Sequence, residues 1–190
     1  DDAARRHSAD PGDVDSDQVS LSGTDDIQPG AHPLTGWTIH RVDATGSTNA
    51  DLVREAVHGA AHGTVLVADV QLAGRGRLGR TWVAPPGDAL LFSILLRPEA
   101  VPVPRRGWIG GILGLATVDA LAGPAGVRAA LKWPNDVLVD GRKIAGILAE
   151  LAGEALVVGM GLNVTVSREV LPRPDATSLL LEGARPEACD

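Results

Sequence analysis

The chain has 190 residues, of which 44% are hydrophobic, and a formal net charge of −7 at pH 7. This length is sufficient for one domain with an adequate core, and we see no apolar run that approaches the roughly 18–20 residues of a membrane helix. The acidity is local: residues 1–36 hold eight Asp against two Arg, whereas residues 37–190 hold 15 Lys and Arg against 16 Asp and Glu. A nearly neutral folded part argues against a broad nucleic-acid-binding surface. We therefore expect neither a membrane nor a nucleic acid as partner.

Residues 1–36 predict a disordered acidic leader. They are rich in Asp, Ser, Gly and Pro and lack hydrophobic periodicity, so burial cannot offset their ordering entropy. No apolar stretch follows a basic start, which excludes a secretory signal. Met160 is the single methionine, so Asp1 is not expected to be a translated start. The single cysteine, Cys189, leaves no intramolecular disulfide and favours a reducing, cytoplasmic setting.

The first part of the chain predicts three strands and two helices. Strands are expected at residues 37–42, 64–70 and 90–96, and helices at residues 49–58 and 107–122. The first helix carries apolar residues at helical spacing and follows Thr45-Gly-Ser-Thr-Asn49, which offers several N-caps.

The second part predicts a strand, a hairpin and a further strand. The strands are expected at residues 127–133, 137–139, 143–151 and 154–158. Asp140-Gly141 suits the hairpin turn because both of its central residues take positive φ angles. The pattern predicts an α/β (α+β) fold, in which helices flank a mixed, largely antiparallel sheet.

The segment Gln71–Trp82 interleaves three glycines with three arginines and closes on a tryptophan. Glycine lets the backbone approach a ligand closely, and the arginine fork suits phosphate and carboxylate groups, so we interpret this Gly/Arg loop as an anion site. Gly74-Arg-Gly-Arg-Leu-Gly79 also matches a dinucleotide-binding fingerprint. Such a site must begin a helix, which the following Arg80–Gly87 segment does not predict. A solvated basic loop and an RNA-contacting segment are the alternatives.

Three shorter motifs also carry polar side chains. Lys132-Trp-Pro-Asn-Asp136 projects a lysine from a strand end that Pro134 terminates, and this lysine is equally explained as an ordinary exposed one. Ser47-Thr-Asn49 serves as an N-cap or also faces a ligand. Gly159-Met-Gly-Leu-Asn163 permits the close approach of another group, or forms a bulge. The five histidines show no metal-ligand spacing, and no nucleophile with an adjacent base is visible.

Taken together and in this order, the motifs resemble one family, the biotin protein ligases, also called biotin–[acetyl-CoA-carboxylase] ligases. The resemblance runs through Ser47-Thr-Asn49, Gln71–Trp82, Lys132-Trp-Pro-Asn-Asp136, Lys143-x-Ala-Gly-Ile-Leu-x-Glu150 and Gly159-x-Gly-x-Asn163. It covers roughly residues 37–182, which we predict to be the catalytic domain. It implies the class II aminoacyl-tRNA synthetase-like fold of these ligases.

The resemblance implies an activity and its substrates. Family members join biotin to ATP, giving biotinyl-5′-AMP and pyrophosphate, and then transfer biotin to a lysine of a carrier domain. We therefore expect biotin, ATP and Mg²⁺ as ligands, and the biotin carboxyl carrier protein of acetyl-CoA carboxylase as partner. Pre-placed cations would stabilise the charge that develops on the phosphoryl oxygens.

The resemblance also implies a role for each motif residue. The residues expected to bind biotin are Ser47, Thr48, Asn49, Gln71, Gly74, Arg75, Gly76, Arg77 and Lys132. Those expected to bind ATP are Arg77, Arg80, Trp82, Lys132, Asn135 and Asn163. Lys132, Arg77 and Arg75 would be the catalytic cations, with Lys132 between the biotin carboxylate and the α-phosphate. The Trp82 ring would stack on adenine. Magnesium would arrive on ATP, near Asp136.

Family members often carry a DNA-binding helix-turn-helix before the catalytic domain and a small β-barrel after it. Nothing in residues 1–36 predicts the former, so we expect a monofunctional ligase. Residues 183–190 would be the beginning of a missing C-terminal domain or a tail. A homodimer is left open.

Three other functions compete with this prediction. A lipoate or octanoate ligase or transferase has a related architecture, but we do not expect the Gly/Arg loop there. An RNA-binding module would use the arginines with Trp82 for stacking. A non-catalytic biotin binder would release no pyrophosphate.

Overall fold

The computed structural model describes residues 36–185. The predicted leader therefore lies outside the described residues apart from Gly36, as do residues 186–190 with Cys189. The predicted start of a C-terminal domain overlaps the described part only at residues 183–185.

The described residues form seven strands and three α-helices. The strands are β1 (Thr38–Thr45), β2 (Thr64–Gln71), β3 (Ala89–Leu96), β4 (Ala130–Lys132), β5 (Asp136–Val139), β6 (Arg142–Ala152) and β7 (Ala155–Asn163). The helices are α1 (Thr48–Val57), α2 (Val103–Arg106) and α3 (Trp108–Ala120), and a π-helical turn at Leu121–Ala125 extends α3. The largest differences from expectation are in three strands: β1 continues to Thr45, the strand predicted at 127–133 is only three residues long, and β7 continues through Asn163. The short helix α2 was not predicted.

All seven strands belong to one sheet of order β1-β2-β3-β7-β6-β5-β4. The β1–β2 pair is parallel and the other five pairs are antiparallel. The predicted mixed, largely antiparallel sheet is therefore confirmed. The β5–β6 hairpin turns at Asp140 and Gly141, both with positive φ angles, as that dipeptide predicted.

The two faces of the sheet pack against different helices, because successive side chains of a strand point to opposite sides. On β7, Gly159 lies against Asn49 of α1, whereas the Met160 sulfur accepts a hydrogen bond from Thr117 of α3. On β6, Ile147 lies beneath Gly110 of α3. We call these the α1 face and the α3 face.

The helix on the α3 face corrects the expectation that no apolar run approaches the length of a membrane helix. Val103–Ala125 spans 23 residues and is, by length and composition alone, long and apolar enough to cross a membrane. Gly110, Gly114 and Thr117 are nevertheless buried along one side of α3. Since Gly114 packs on Leu131 and Ile147 of the sheet, this side behaves as that of a core helix.

Candidate functional site

A cavity of about 330 Å³ opens on the α1 face of the sheet, between the start of α1 and the Gly/Arg loop. It collects most of the side chains that the sequence motifs singled out. The predicted residues that line it are Ser47, Thr48, Asn49, Gln71, Arg75, Gly76, Arg77, Arg80, Trp82, Asn135, Asp136 and Asn163. Distant parts of the chain thus meet at one site.

The start of α1 supplies a hydrogen-bonding wall. Ser47 is the N-cap, and its hydroxyl accepts a hydrogen bond from the Ala50 amide at 3.4 Å. The Gln71 Oε1 atom accepts from both the backbone amide and the hydroxyl of Thr48, at 2.8 and 3.1 Å. The Ser-Thr-Asn motif therefore caps the helix and lines the cavity at once.

Behind this wall lies a buried polar network. The Ser93 hydroxyl is 2.7 Å from that of Thr48 and donates to Asn49 Oδ1 at 2.6 Å. The Asn49 amide then donates to Glu150 Oε2 at 2.9 Å. Ser93 is fully buried, and the sequence analysis missed it because a serine within an apolar strand carries no motif. Bonds of this kind hold neighbouring side chains in fixed orientations.

The Gly/Arg loop is a small hairpin rather than the start of a helix. The Trp82 amide donates to Gly74 O at 2.9 Å, and the Gly76 amide donates to Arg80 O at 2.7 Å. At its tip, Leu78 lies in the left-handed region with φ 58°. The tip forms a short 3-10 turn at Arg77–Gly79 and not an α-helix. This confirms the expectation that the glycines of this segment do not begin a dinucleotide-binding helix.

Two arginines tie this hairpin to the rest of the cavity. Arg75 pairs with Glu150 at 3.1 Å, and Arg77 donates to Asn135 Oδ1 at 3.0 Å. Glu150 therefore joins the hairpin to Asn49 of the helical wall. It closes the Lys143–Glu150 motif, but nothing in the sequence marked it as a bridge between two other motifs.

At the biotin site that the motifs predict, we expect Glu150→Gln to weaken biotin binding about 3- to 10-fold, because the ion pair with Arg75 is lost and Asn49 no longer donates to a charged acceptor. Isothermal titration with biotin measures the effect. Glu154→Gln, in the exposed turn between β6 and β7, is the matched control and should bind like the wild type. Equal affinities for wild type and Glu150→Gln would contradict this positioning role.

The Trp82 ring lies on a floor of glycine. A Cβ atom built on Gly161 would overlap the indole, and one on Gly146 would lie 3.0 Å from it. A Cβ on Gly159 would likewise overlap the Asn49 amide. Glycines 159 and 161 are therefore required for close approach. The bulge alternative is wrong, since β7 keeps continuous register with both of its neighbours.

Lys143 is the cavity cation that the sequence analysis left without a role. Its Nζ is 2.6 Å from Asp136 Oδ1 and 5.7 Å from the centroid of the Trp82 ring. The side chain is 28% exposed and lies beside Gly146. Lys143 is the first residue of one of the motifs that carry the family resemblance. The catalytic role was nevertheless predicted for Lys132, the lysine of the preceding motif.

Two predicted residues do not line the cavity. Lys132 is exposed on the edge strand β4 and pairs in register with Asp136, which pairs with Gly146. It therefore lies two strands beyond the glycine floor, roughly 10 Å at a spacing of about 4.8 Å per strand. Gly74 is buried against the backbone of Trp82, where a Cβ would overlap a carbonyl oxygen, so it shapes the hairpin instead.

The far end of the cavity contains Asn163 and Arg173. The buried Asn163 amide donates to Thr177 O at 2.9 Å. Arg173 makes two hydrogen bonds to Asp175, at 2.8 and 2.5 Å, and these lower the pKa of that carboxyl. Arg173 is a further cavity cation that no motif marked.

Within residues 36–185, no group of three or more His, Cys, Asp or Glu side chains is arranged to hold a metal ion. Asp136 is the one carboxylate among the described lining residues, and it already pairs with Lys143. Protein sites commonly bind Mg²⁺ through one or two carboxylates together with substrate phosphates. The residues thus fit a magnesium ion that arrives on a nucleotide better than one held by protein ligands alone.

Comparison with known proteins gives a family. Residues 42–167 match the model of the Biotin/lipoate A/B protein ligase family. A biotin–[acetyl-CoA-carboxylase] ligase of Mycobacterium tuberculosis is 49% identical over 151 residues, which are 77% of this chain and 56% of that protein. A bifunctional ligase/repressor BirA of Bacillus spizizenii is 34% identical over 72% of this chain and 44% of its own length. The chain spans about half the length of these relatives.

Comparison of the fold with solved structures indicates the same family. The structure of a biotin protein ligase from Aquifex aeolicus in complex with biotin and ATP has a TM-score of 0.64 and 37% sequence identity to this chain. The similarity covers 74% of this chain and 59% of that one. Both the matched residues and the sheet they form agree with the motifs around the cavity. The chain therefore belongs to the Biotin/lipoate A/B protein ligase family.

Proposed function

We propose that the chain is an ATP-dependent biotin protein ligase that acts through biotinyl-5′-AMP. The observation that carries the proposal is one cavity in which the hydrogen-bonding wall of α1 faces the cations of the Gly/Arg hairpin and Lys143. A neutral polar ring and a polyanion would occupy the two sides. The names of the relatives, which include ligases for acetyl-CoA carboxylase, support the same chemistry.

In the first step, a biotin carboxylate oxygen attacks the α-phosphorus of ATP, and pyrophosphate leaves. The ureido ring would lie against Ser47, Thr48 and Asn49. Gln71 already orients Thr48, and the Ser93 and Glu150 side chains orient Asn49. Two anionic groups must approach each other, and at about 4 Å unit charges repel by roughly 4 kcal/mol at an effective dielectric constant near 20. Cations held at the meeting point remove this penalty and stabilise the transition state.

We assign the central cation to Lys143 instead of Lys132. The cavity position of Lys143, between Asp136 and Trp82, supports this assignment. Arg75, Arg77 and Arg80 would contact the carboxylate and phosphate oxygens from the hairpin. Trp82 offers an aromatic ring for adenine, and Asn135 and Asn163 line the nucleotide side. Magnesium would enter as part of the ATP substrate and neutralise triphosphate charge, with Asp136 nearby.

In the second step, the lysine amine of a carrier protein attacks the acyl carbon of biotinyl-AMP. The amide bond forms, AMP leaves and the amine releases a proton. We propose the biotin carboxyl carrier protein of acetyl-CoA carboxylase as the acceptor, with a cytoplasmic location. No protein nucleophile is needed in either step.

The experiment that tests this function combines biotin, MgATP and a carrier domain. We expect biotin-dependent pyrophosphate release, followed by a mass increase on one carrier lysine. Release with lipoate or octanoate but not biotin would favour the alternative acyl ligase. Biotin binding without pyrophosphate release would indicate a non-catalytic binder.

The monofunctional prediction has a test of its own, since its basis is the composition of residues 1–36 and some relatives are bifunctional ligase/repressors. A gel-shift titration with duplex DNA and with RNA should show no binding that falls steeply with salt. Salt-sensitive binding to DNA would contradict a monofunctional ligase, and binding to RNA would favour the RNA-module alternative.

A further inference from the structure

A row of four hydrogen-bonded side chains leads from Glu150 through the protein interior to the cavity. Its links are Glu150–Asn49 at 2.9 Å, Asn49–Ser93 at 2.6 Å and Ser93–Thr48 at 2.7 Å. Thr48 and Asn49 are buried and line the cavity, whereas Ser93 is fully buried behind them and is not among the lining residues. The Ser93 hydroxyl therefore acts on the site only through its neighbours.

Glu150 fixes the orientation of the Asn49 amide. A carboxylate and a backbone carbonyl only accept hydrogen bonds. The Asn49 amide nitrogen lies 2.9 Å from Glu150 Oε2 and 3.2 Å from Leu148 O, so the NH2 group must face both of these acceptors. The Asn49 amide oxygen consequently faces Ser93, and there it can only accept.

The single hydrogen of each hydroxyl group carries this direction on to the cavity. Ser93 donates its only hydrogen to Asn49 Oδ1, so the 2.7 Å contact with Thr48 is a hydrogen bond only if Thr48 donates. Gln71 Oε1, at 3.1 Å, is a more distant second acceptor of the same Thr48 hydrogen. Because this hydrogen is held by protein acceptors, the Thr48 hydroxyl has only lone pairs left for a ligand.

We propose that Ser93 is a positioning residue that, together with Glu150, makes the Thr48 hydroxyl a hydrogen-bond acceptor toward the ligand. The site then favours an acyl ring that presents an N–H group at this position. A cyclic urea has such groups, whereas a dithiolane ring and an alkyl chain have none, so this row of hydrogen bonds selects biotin against lipoate and octanoate. The inference rests on the proposed ligase function and assigns part of its substrate specificity.

Two substitutions release the Thr48 hydrogen by different routes. Ser93→Ala removes its nearer acceptor, so the hydroxyl can turn and donate to a ligand. Glu150→Gln replaces a group that only accepts by an amide that can present either its oxygen or its NH2 group to Asn49, so the row can run in both directions. Each variant should therefore bind a ligand with an acceptor at this position better relative to biotin.

Isothermal titration of the full 190-residue chain with biotin and with its two cyclic carbamate analogues, in each of which an oxygen replaces one ureido N–H, tests this specificity. For one isomer, two acceptors face each other without a hydrogen, so the wild type should bind it about 30-fold or more weakly than biotin. In Ser93→Ala and in Glu150→Gln, this ratio should fall to about fivefold or less. Ser178→Ala removes another fully buried serine and should keep the wild-type ratio.

The affinity ratio distinguishes a positioning role from a structural one, since a general defect weakens both ligands alike. An unchanged ratio in both variants, with biotin-dependent pyrophosphate release intact in the wild type, would overturn the role of Ser93 and leave the ligase function standing. A wild type that binds no biotin would overturn both. Thermal melting verifies that the variants are folded, and Glu150→Gln, at a partly exposed position, serves as the test if Ser93→Ala does not fold.

Discussion

Replacing Lys143 by alanine is expected to slow biotin-dependent pyrophosphate release by about 100-fold or more, which corresponds to roughly 2.7 kcal/mol of transition-state stabilisation. The variant removes the cation that lies between Asp136 and Trp82 and leaves the Asp136 carboxylate unpaired beside an incoming polyanion. Single-turnover measurement of pyrophosphate release, with biotin and MgATP both saturating, isolates the chemical step.

The chain provides a matched control in a second lysine, Lys132, which lies two strands away in the sheet. Lys132→Ala removes the same number of atoms and the same charge from the edge strand and should stay within about threefold of wild type. A larger loss for Lys132→Ala than for Lys143→Ala would reverse the assignment. The double variant Asp136→Asn with Lys143→Ala separates the two causes. If it recovers wild-type rates, the loss came from the unpaired carboxylate and not from the missing cation.

Replacing Gly161 by alanine should lower kcat/KM for ATP by about 10- to 100-fold. The added methyl would overlap the Trp82 indole, and both flanking strands hold the β7 backbone in place. The ring must therefore move toward the cavity, at a cost typical of overpacking, about 1–3 kcal/mol. Steady-state kinetics with varied ATP measure this effect, and biotin affinity should change much less because the α1 wall is untouched.

The control for this variant is another glycine-to-alanine change without a close neighbour. A Cβ on Gly123 meets no atom within 4 Å, so Gly123→Ala should behave as wild type. If Gly161→Ala also kept normal ATP kinetics, the tight contact with Trp82 would not matter for nucleotide binding. A parallel loss of biotin affinity would indicate general unfolding, which thermal melting detects.

Local patterns were sufficient to predict most elements of the fold. The β-branched run of β2, the apolar run of β3, the cap before α1 and the Asp140-Gly141 turn are set by residues close together in sequence. The strand predicted at 127–133 is shorter because only Ala130–Lys132 has a partner strand in register. Pairing of this kind depends on another part of the chain, and periodicity alone does not reveal it.

The sequence by itself determined the family resemblance, the mixed sheet and the grouping of hydroxyl, amide and arginine side chains around an anion site. Only the tertiary structure decided which lysine joins them. Lys132 and Lys143 both lie in motif segments, but strand order places the first at the sheet edge and the second beside the cavity. The same holds for Ser93 and Glu150, whose partners are on other elements. Local sequence sets the direction of a side chain relative to its own strand, whereas long-range pairing sets what it meets there.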